Sequence, residues 1–231
     1  MNIDYKLNSI VPWGRNLEEY RTMFSLSNKD LQKKILGCGD GPSSFNAELT
    51  ILGGDITSID PIYEFTKVQL SKRIDEVATE VMAMVDKNSA HFVWKSIKNP
   101  NELKQVRMSA MKYFLEDYQQ GLEQKRYLFE MLPGLPFEDK RFDLALSSHF
   151  LFLYSKHLDF DFHLSATLEM LRVADEVRIF PLMTLNNLYS PHLDKVREAL
   201  ALEGYKSEII KTEYEFQQGA DEMLKVYYGT N

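Results

Sequence analysis

Three glycines stand within five positions of the segment KKILGCGDGPSSF, residues 33–45, directly after a short apolar run. They are Gly37, Gly39 and Gly41. Because glycine has no Cβ atom, a glycine-rich loop can turn tightly and lie against a ligand. A dinucleotide-binding loop would read GxGxxG, with its third glycine at position 42, where this chain has Pro42. The observed order, GxGxG, disfavours a pyrophosphate site and leaves other ligands open.

A carboxylate follows the next strand-like run, ITSID, which ends at Asp60, 19 residues after Gly41. An aspartate in this place accepts hydrogen bonds from both hydroxyls of a ribose, and its charge strengthens them. Loop and carboxylate together predict a site for an adenosine-bearing cofactor. The simpler alternative is that Asp60 caps a turn before Pro61.

Strand-like and helix-like segments alternate around these residues, which is typical of an α/β sheet with helices on both faces. Long amphipathic helices are predicted from Ile62 to about Asn88 and from Asn101 to Leu122. The predicted strands are KKILGC, ITSID, RYLFEM, FDLALSS, EVRIFPL, KSEIIKTEYEF and EMLKVYY. The last two come nearly in succession, so that edge of the sheet is expected to be antiparallel. Ligands of such sheets bind at the carboxyl ends of the strands, where the glycine loop and Asp60 stand.

The segments ILGCGDG, SIDP and LPFEDKRFDLALSSHFLF resemble the class I S-adenosylmethionine-dependent methyltransferases, from about Lys33 to Tyr228. VPWGR, ILGCGDGPSSFNAE and SSHFLFLYS are further similar to an uncharacterised bacterial branch of that superfamily. The resemblance implies a Rossmann-like three-layer α/β sandwich, with a mostly parallel seven-stranded sheet and an antiparallel C-terminal edge strand. Residues 1–231 are expected to form a single domain, with an N-terminal lid or helix segment at 1–32 and a helical insert before the third strand at 89–125.

The resemblance also implies which residues hold the cofactor, S-adenosyl-L-methionine. The glycine loop would lie against its methionine and ribose, Asp60 would bind the ribose hydroxyls, and Pro61 or Ile62 would pack on the adenine. Met131 and Leu132 would lie beside the adenine edge, and Ser147 near the transferred methyl group. The implied cofactor-binding residues are Gly37, Cys38, Gly39, Gly41, Asp60, Pro61, Ile62, Met131, Leu132 and Ser147.

Three features depart from the family pattern. Ile35 occupies the strand position where many members carry an acid near the amino group of the cofactor. Met131 stands where an acid often lies near the adenine amine, with Glu130 one residue away. The usual LKPGG turn before the fifth strand is missing, and LRVADEVRIF runs straight into that strand.

The segment SSHFLFLYS supplies the candidate catalytic residue, His149. Methyl transfer from a sulfonium needs an aligned acceptor and, where the acceptor is protonated, a base. A histidine titrates near neutral pH, and aromatic faces such as those of Phe150 and Tyr154 suit a sulfonium. The alternative is that His149 only makes a local hydrogen bond.

Two further segments are candidates for contact with the methyl acceptor or for closing the site. Arg15 and Tyr20 are expected to form a lid over the methionine end, where Arg15 meets a carboxylate; alternatively, this segment merely docks on the core. In the helical insert the candidate acceptor contacts are Trp94, Arg107, Met108 and Tyr113. The equally open alternative is that the insert covers an exposed sheet edge.

Composition limits the partners. The net charge is −7 and no lysine- or arginine-rich stripe occurs, so nucleic acid is not expected as a partner. The other histidines (91, 157, 163 and 192) show no metal-ligand spacing, so no metal site is expected. Cys38 is the single cysteine and no apolar run is long enough to span a membrane, which favours a soluble, cytoplasmic protein without a membrane partner.

These observations support one leading function and two alternatives. The leading hypothesis is a methyltransferase that uses S-adenosyl-L-methionine and acts on a small-molecule acceptor. The first alternative is a noncatalytic module that binds S-adenosylmethionine or S-adenosylhomocysteine and regulates a partner, which the departures at Ile35 and Met131 favour. The second is a nucleotide-dependent oxidoreductase, which Pro42 disfavours.

Overall fold

Seven strands form one sheet in the computed structural model, which describes residues 11–229. They are β1 (Lys34–Cys38), β2 (Asp55–Ile59), β3 (Tyr127–Leu128), β4 (Phe142–Ser148), β5 (Ala174–Phe180), β6 (Tyr205–Lys211) and β7 (Glu222–Tyr228). Their spatial order is β3-β2-β1-β4-β5-β7-β6. β7 runs antiparallel to both of its neighbours, and the other pairs are parallel. The predicted Rossmann-like sheet, mostly parallel with an antiparallel strand at its C-terminal edge, is confirmed. At that edge β7 lies second from the end and β6 is outermost.

Helices cover both faces of this sheet. They are α1 (Leu17–Met23), α2 (Phe45–Ile51), α3 (Lys67–Lys87), α4 (Pro100–Glu123), α5 (Phe160–Val173) and α6 (Leu193–Leu202). Successive residues of a strand point to opposite faces, so each central strand feeds two cores. In β1, Ile35 packs among side chains of α1 and α2, whereas Leu36 packs among those of α5 and α6.

The helix predicted from Ile62 is shorter than expected at its start. Pro61–Glu64 form a turn of 3₁₀ helix, and α3 begins only at Lys67. The break has a local cause: the Thr66 side chain accepts a hydrogen bond from the Gln69 backbone, and the Gln69 side chain bonds back to Thr66. This reciprocal pair satisfies N–H groups that a new helix start leaves free.

The helical insert places α4 against α3, beside the β3 edge of the sheet. Tyr118 of α4 packs on Tyr127 of β3, and its hydroxyl donates to the backbone carbonyls of Tyr63 and Phe65. Strand β3 is limited to Tyr127–Leu128, shorter than the predicted run RYLFEM.

Strand order reverses between β1 and β4. The chain passes from β1 outward to β2 and β3 on one side, and from β4 outward to β5 on the other. In open α/β sheets the ligand crevice lies outside the carboxyl ends of the strands at such a reversal. Within residues 11–229, no helix is long and apolar enough to span a membrane.

Candidate functional site

A cavity of about 510 Å³ opens at the reversal point. Its floor comes from the segments that leave β1, β2 and β4, at residues 39–42, 59–62 and 148–150. The N-terminal segment around Trp13, the helices α3 and α4, and the connection between β6 and β7 supply its walls. Segments that are far apart in the sequence therefore line one space.

The glycine loop brings its backbone at Gly39 and Gly41 to the cavity. Gly39 has φ of +72° and Gly41 has φ of +56°, a left-handed conformation that residues with a Cβ atom rarely adopt. At Gly37 the constraint is different, because a Cβ atom there would lie 1.8 Å from Asp40 Oδ2. The first glycine thus makes room for the carboxylate of Asp40.

Asp40 is a buried acid that the sequence reasoning did not single out. Its Oδ1 accepts a hydrogen bond of 2.8 Å from the Tyr20 hydroxyl, and its Oδ2 accepts one of 2.6 Å from Ser58. Burial raises the pKa of Asp40 to about 6, although these hydrogen bonds lower it. The expected acid is absent at Ile35, which is fully buried, and Asp40 supplies a carboxylate at the cavity instead. An acid inside the glycine loop was the available signal.

Asp60 lies at the carboxyl end of β2, and both of its carboxylate oxygens accept backbone hydrogen bonds. Oδ1 accepts from the Ile62 N–H at 2.9 Å, and Oδ2 accepts from the Gly41 N–H at 2.8 Å. The first bond is the turn cap before Pro61, and the second ties the glycine loop to the end of β2. Since a carboxylate offers about four acceptor sites, two remain for further donors. Burial raises the pKa of Asp60 to about 6.

His149 lines the cavity from the segment after β4. Its φ of +53° lies in the left-handed region, which residues other than glycine rarely adopt. The backbone N–H donates to the Phe180 carbonyl at 2.6 Å, and the ring Nδ1 lies 2.9 Å from Ser148 Oγ. Burial, with help from Arg15 and Arg107, lowers the pKa of His149 well below its usual value. The imidazole is therefore neutral at pH 7.

A buried ion pair joins three separate segments above His149. Arg107 of α4 places Nη1 2.5 Å from both carboxylate oxygens of Glu19 in α1. The Tyr214 hydroxyl, from the β6–β7 connection, lies 3.1 Å from Glu19 and 3.2 Å from Arg107. Burial opposes ionisation of Glu19, but Arg107 outweighs it and lowers the pKa of that carboxyl.

Arg15 lies beside this pair. Its Nη1 donates to the Trp13 carbonyl at 3.2 Å, while its Nε is shielded from solvent and has no partner among residues 11–229. Its own backbone carbonyl accepts from Ser43 and Ser44 at the start of α2.

The cavity brings together most of the predicted site residues. Those that line it are Arg15, Tyr20, Gly39, Gly41, Asp60, Pro61, Ile62, Arg107, Met131, Leu132, His149, Phe150 and Tyr154. Three predicted cofactor residues are not among the lining: Gly37, Cys38 and Ser147. Cys38 is fully buried in the core beside α5 and α6, and Ser147 is buried with an unpartnered hydroxyl. The cofactor role of these residues stays a prediction.

The insert contributes less to the cavity than predicted. Of its four candidates only Arg107 lines the space, and Tyr113 is an exposed side chain. Trp94 packs instead on Phe92 and Phe216. Tyr214 and Phe216 line the cavity from a connection that showed no catalytic motif, so sequence spacing held no signal for them. Within the described part of the chain, no group of three or more His, Cys, Asp or Glu side chains is placed to hold a metal ion.

Several known proteins are similar to this chain, although no family model matches it. Among solved structures, magnesium protoporphyrin IX methyltransferase from Synechocystis PCC 6803 with bound SAM is 12% identical. The alignment covers 99% of this chain and 100% of that one, with a TM-score of 0.47. A SAM-dependent methyltransferase from Methanosarcina mazei is also 12% identical, over 87% of this chain and 94% of that one, with a TM-score of 0.45.

A protein relative covers nearly the whole chain. The uncharacterized protein MJ0045 of Methanocaldococcus jannaschii is 36% identical over 222 residues, 94% of this chain and 96% of the relative. Placement in a bacterial branch stays a prediction. Identity at this level over nearly the full length of both proteins shows common membership, so the chain belongs to the family of MJ0045.

Proposed function

We propose that this protein is an S-adenosylmethionine-dependent methyltransferase that acts on a small-molecule acceptor. One observation carries the proposal: a single cavity is lined by the glycine loop, Asp60 and His149. An enzyme that transfers a group between two bound molecules needs both binding sites to share one enclosed space.

The residues at the loop end fit the methyl donor. Gly39 and Gly41 expose backbone for close approach, and the free acceptor capacity of Asp60 suits the two ribose hydroxyls. Ile62 and Leu132 are buried apolar side chains on the lining, where they would pack on the adenine. When bound, the cofactor supplies a methyl group on a positively charged sulfur.

Asp40 extends this fit to the amino group of the donor. Its carboxylate lines the cavity beside the glycine loop and is held by Tyr20 and Ser58. With a pKa of about 6, it is ionised at pH 7 and complements an ammonium group. We assign to Asp40 the role that the resemblance gave to an acid at position 35.

His149 serves as the general base in this proposal. Its neutral imidazole takes the proton that the acceptor loses as the acceptor attacks the methyl carbon. Ser148 orients the ring through Nδ1, and the neighbouring ring of Phe180, 5.4 Å away, limits access of water. The enclosed cavity and the absence of a basic stripe support a small acceptor rather than nucleic acid, and the single cysteine supports a cytoplasmic location.

Calorimetry tests the cofactor assignment. We expect the parent protein to bind S-adenosylhomocysteine and not NAD. The variant Asp60→Asn should bind S-adenosylhomocysteine about 10- to 100-fold more weakly, because it loses charge-assisted hydrogen bonds. Asp55→Asn, at the exposed opposite end of β2, is the matched control and should bind as the parent does. An Asp60→Asn variant with unchanged affinity would refute the ribose assignment.

Turnover tests catalysis. Release of S-adenosylhomocysteine is measured with S-adenosylmethionine and a desalted small-molecule metabolite extract. His149→Gln should lower the rate at least about 100-fold while S-adenosylhomocysteine binding persists. The exposed His157→Gln is the control from the same segment. Equal rates in parent and His149→Gln would remove His149 as the base. Cofactor binding without turnover by the parent would favour the noncatalytic binding module.

A further inference from the structure

Arg15 lines the wall of the cavity and forms no ion pair within residues 11–229. Its side chain donates a hydrogen bond to the backbone carbonyl of Trp13. Its Nε is shielded from solvent and has no partner among the described residues. None of the carboxylates in residues 11–229 forms an ion pair with it. A guanidinium that lines a cavity in this way is a binding group for an anion.

The neighbouring charges leave one positive charge uncompensated. Arg107 is neutralised by Glu19, at 2.5 Å, so that pair contributes no net charge. Arg15 adds one more cation to the same region, and burial together with Arg107 lowers its pKa. Placing a cation near another cation away from water is unfavourable unless an anion joins them. A carboxylate matches a single guanidinium, with which it can form two parallel hydrogen bonds.

The electrostatic neighbours of Arg15 include the proposed base, His149, and also Tyr20, whose hydroxyl donates to Asp40. Arg15 acts on the pKa of His149, Tyr154 and Tyr214, which lie after β4 and between β6 and β7. Tyr154 also lines the cavity, and its hydroxyl makes no hydrogen bond within the described residues. An anion bound here would meet a cation and a free hydroxyl donor beside the proposed base.

Apolar side chains form much of the remaining wall. They come from the end of α3, the α3–α4 connection, α4 and the β6–β7 connection: Val81, Met84, Val85, Phe92, Leu103 and Phe216. Met84 is 54% exposed, so the apolar wall reaches the surface. A molecule that fills this space gains from burying its own apolar surface.

We propose that the methyl acceptor is an apolar monocarboxylate whose carboxylate group binds Arg15. The carboxylate anchors the acceptor and the apolar body lies against the α3–α4 wall, so that its nucleophilic atom faces His149. This proposal rests on the proposed methyltransferase function and specifies its substrate class.

Calorimetry with matched probes tests the proposal. Benzoate, 3-phenylpropanoate and octanoate are titrated into the protein with and without saturating S-adenosylhomocysteine, each beside its neutral amide. At least one acid should bind, and its amide should bind at least about 10-fold more weakly. Arg15→Gln should weaken the acid by about 10- to 100-fold, and Arg15→Lys by less. Arg141→Gln, exposed at the opposite end of β4, is the charge-loss control and should leave binding unchanged.

Binding of S-adenosylhomocysteine tests the competing assignment, in which Arg15 binds the carboxylate of that molecule. Our proposal predicts that Arg15→Gln leaves the affinities for S-adenosylhomocysteine and for 5′-methylthioadenosine, which lacks that carboxylate, unchanged. A selective loss of S-adenosylhomocysteine binding would overturn it.

Two parent-protein results need no variant. Equal binding of acids and amides, or no binding of any acid, would also overturn the proposal even if Arg15→Gln failed to fold. If the parent protein binds no S-adenosylhomocysteine but binds an acid more tightly than its amide, the donor site is refuted and the anion site remains supported.

Discussion

At the scale of single residues, two buried aspartates and two arginines line the same cavity. Asp40 lies within the glycine loop and Asp60 is bonded to it, each with a pKa that burial raises to about 6. Burial, with Arg15 and Arg107, lowers the pKa of His149. The aspartates suit the hydroxyl and ammonium groups of S-adenosylmethionine, and an arginine suits an anion.

The raised pKa of Asp60 makes cofactor affinity depend on pH. Ribose hydroxyls donate to the ionised carboxylate, so affinity should fall as pH falls through about 6. At pH 5 about nine in ten such groups are protonated, and S-adenosylhomocysteine should bind about 10-fold more weakly than at pH 7.5. Titration calorimetry at the two pH values measures this change.

The variant Asp60→Asn separates the two carboxylates in that experiment. It should show a smaller pH dependence than the parent, because only Asp40 then titrates in this range. A parent affinity that is the same at pH 5 and pH 7.5 would contradict the view that the ionised Asp60 binds the ribose.

At the scale of elements, the helical insert does more than cover a sheet edge. It carries Arg107 across to Glu19, so α4, α1 and the β6–β7 connection are tied together above the cavity. The N-terminal segment, predicted to be a lid, is also held at the loop, because the Tyr20 hydroxyl donates to Asp40 and its ring stacks on Phe45 at 4.2 Å. These contacts position the walls of the cavity relative to its floor.

Removing one member of the buried pair should be costly. Arg107→Met leaves the Glu19 carboxylate buried without its partner, and we expect the free energy of unfolding to fall by about 3–5 kcal/mol. Urea denaturation followed by circular dichroism measures the loss. Adding Glu19→Gln to Arg107→Met should recover part of it, since the unpaired charge is then gone.

An exposed ion pair provides the comparison for this experiment. Lys72, whose ammonium lies 3.8 Å from Glu76, keeps 80% of its side chain exposed. Lys72→Met should therefore change the free energy of unfolding by less than about 1 kcal/mol. If Arg107→Met were equally mild, the pair would not hold the three segments together.

At the scale of the whole molecule, the net charge says little about the cavity. The chain carries −7 overall, yet the cavity is lined by Arg15, which forms no ion pair within residues 11–229. An acidic surface discourages polyanions such as nucleic acid without preventing a small anion from binding in an enclosed site. The global and local charges therefore support the same partner class, a small molecule.

The sequence alone was enough to predict the sheet, the glycine loop and the position of Asp60. These depend on local patterns: apolar periodicity sets strands and helices, glycines mark the tight loop, and the carboxyl ends of parallel strands meet at one edge. The error at the start of α3 was also local. The helix was predicted from Ile62, but the Thr66–Gln69 cap interrupts the apolar pattern and α3 begins at Lys67.

Only the tertiary structure decided which charges are paired. Glu19 meets Tyr214 across 195 residues of sequence, and Arg107 meets Glu19 across 88. In the part of the chain that the structure describes, Arg15 forms no ion pair because Glu19 is engaged by Arg107, and Asp40 is held at the cavity by Tyr20 and Ser58. Charge compensation depends on distances in space, which periodicity and spacing along the chain do not contain.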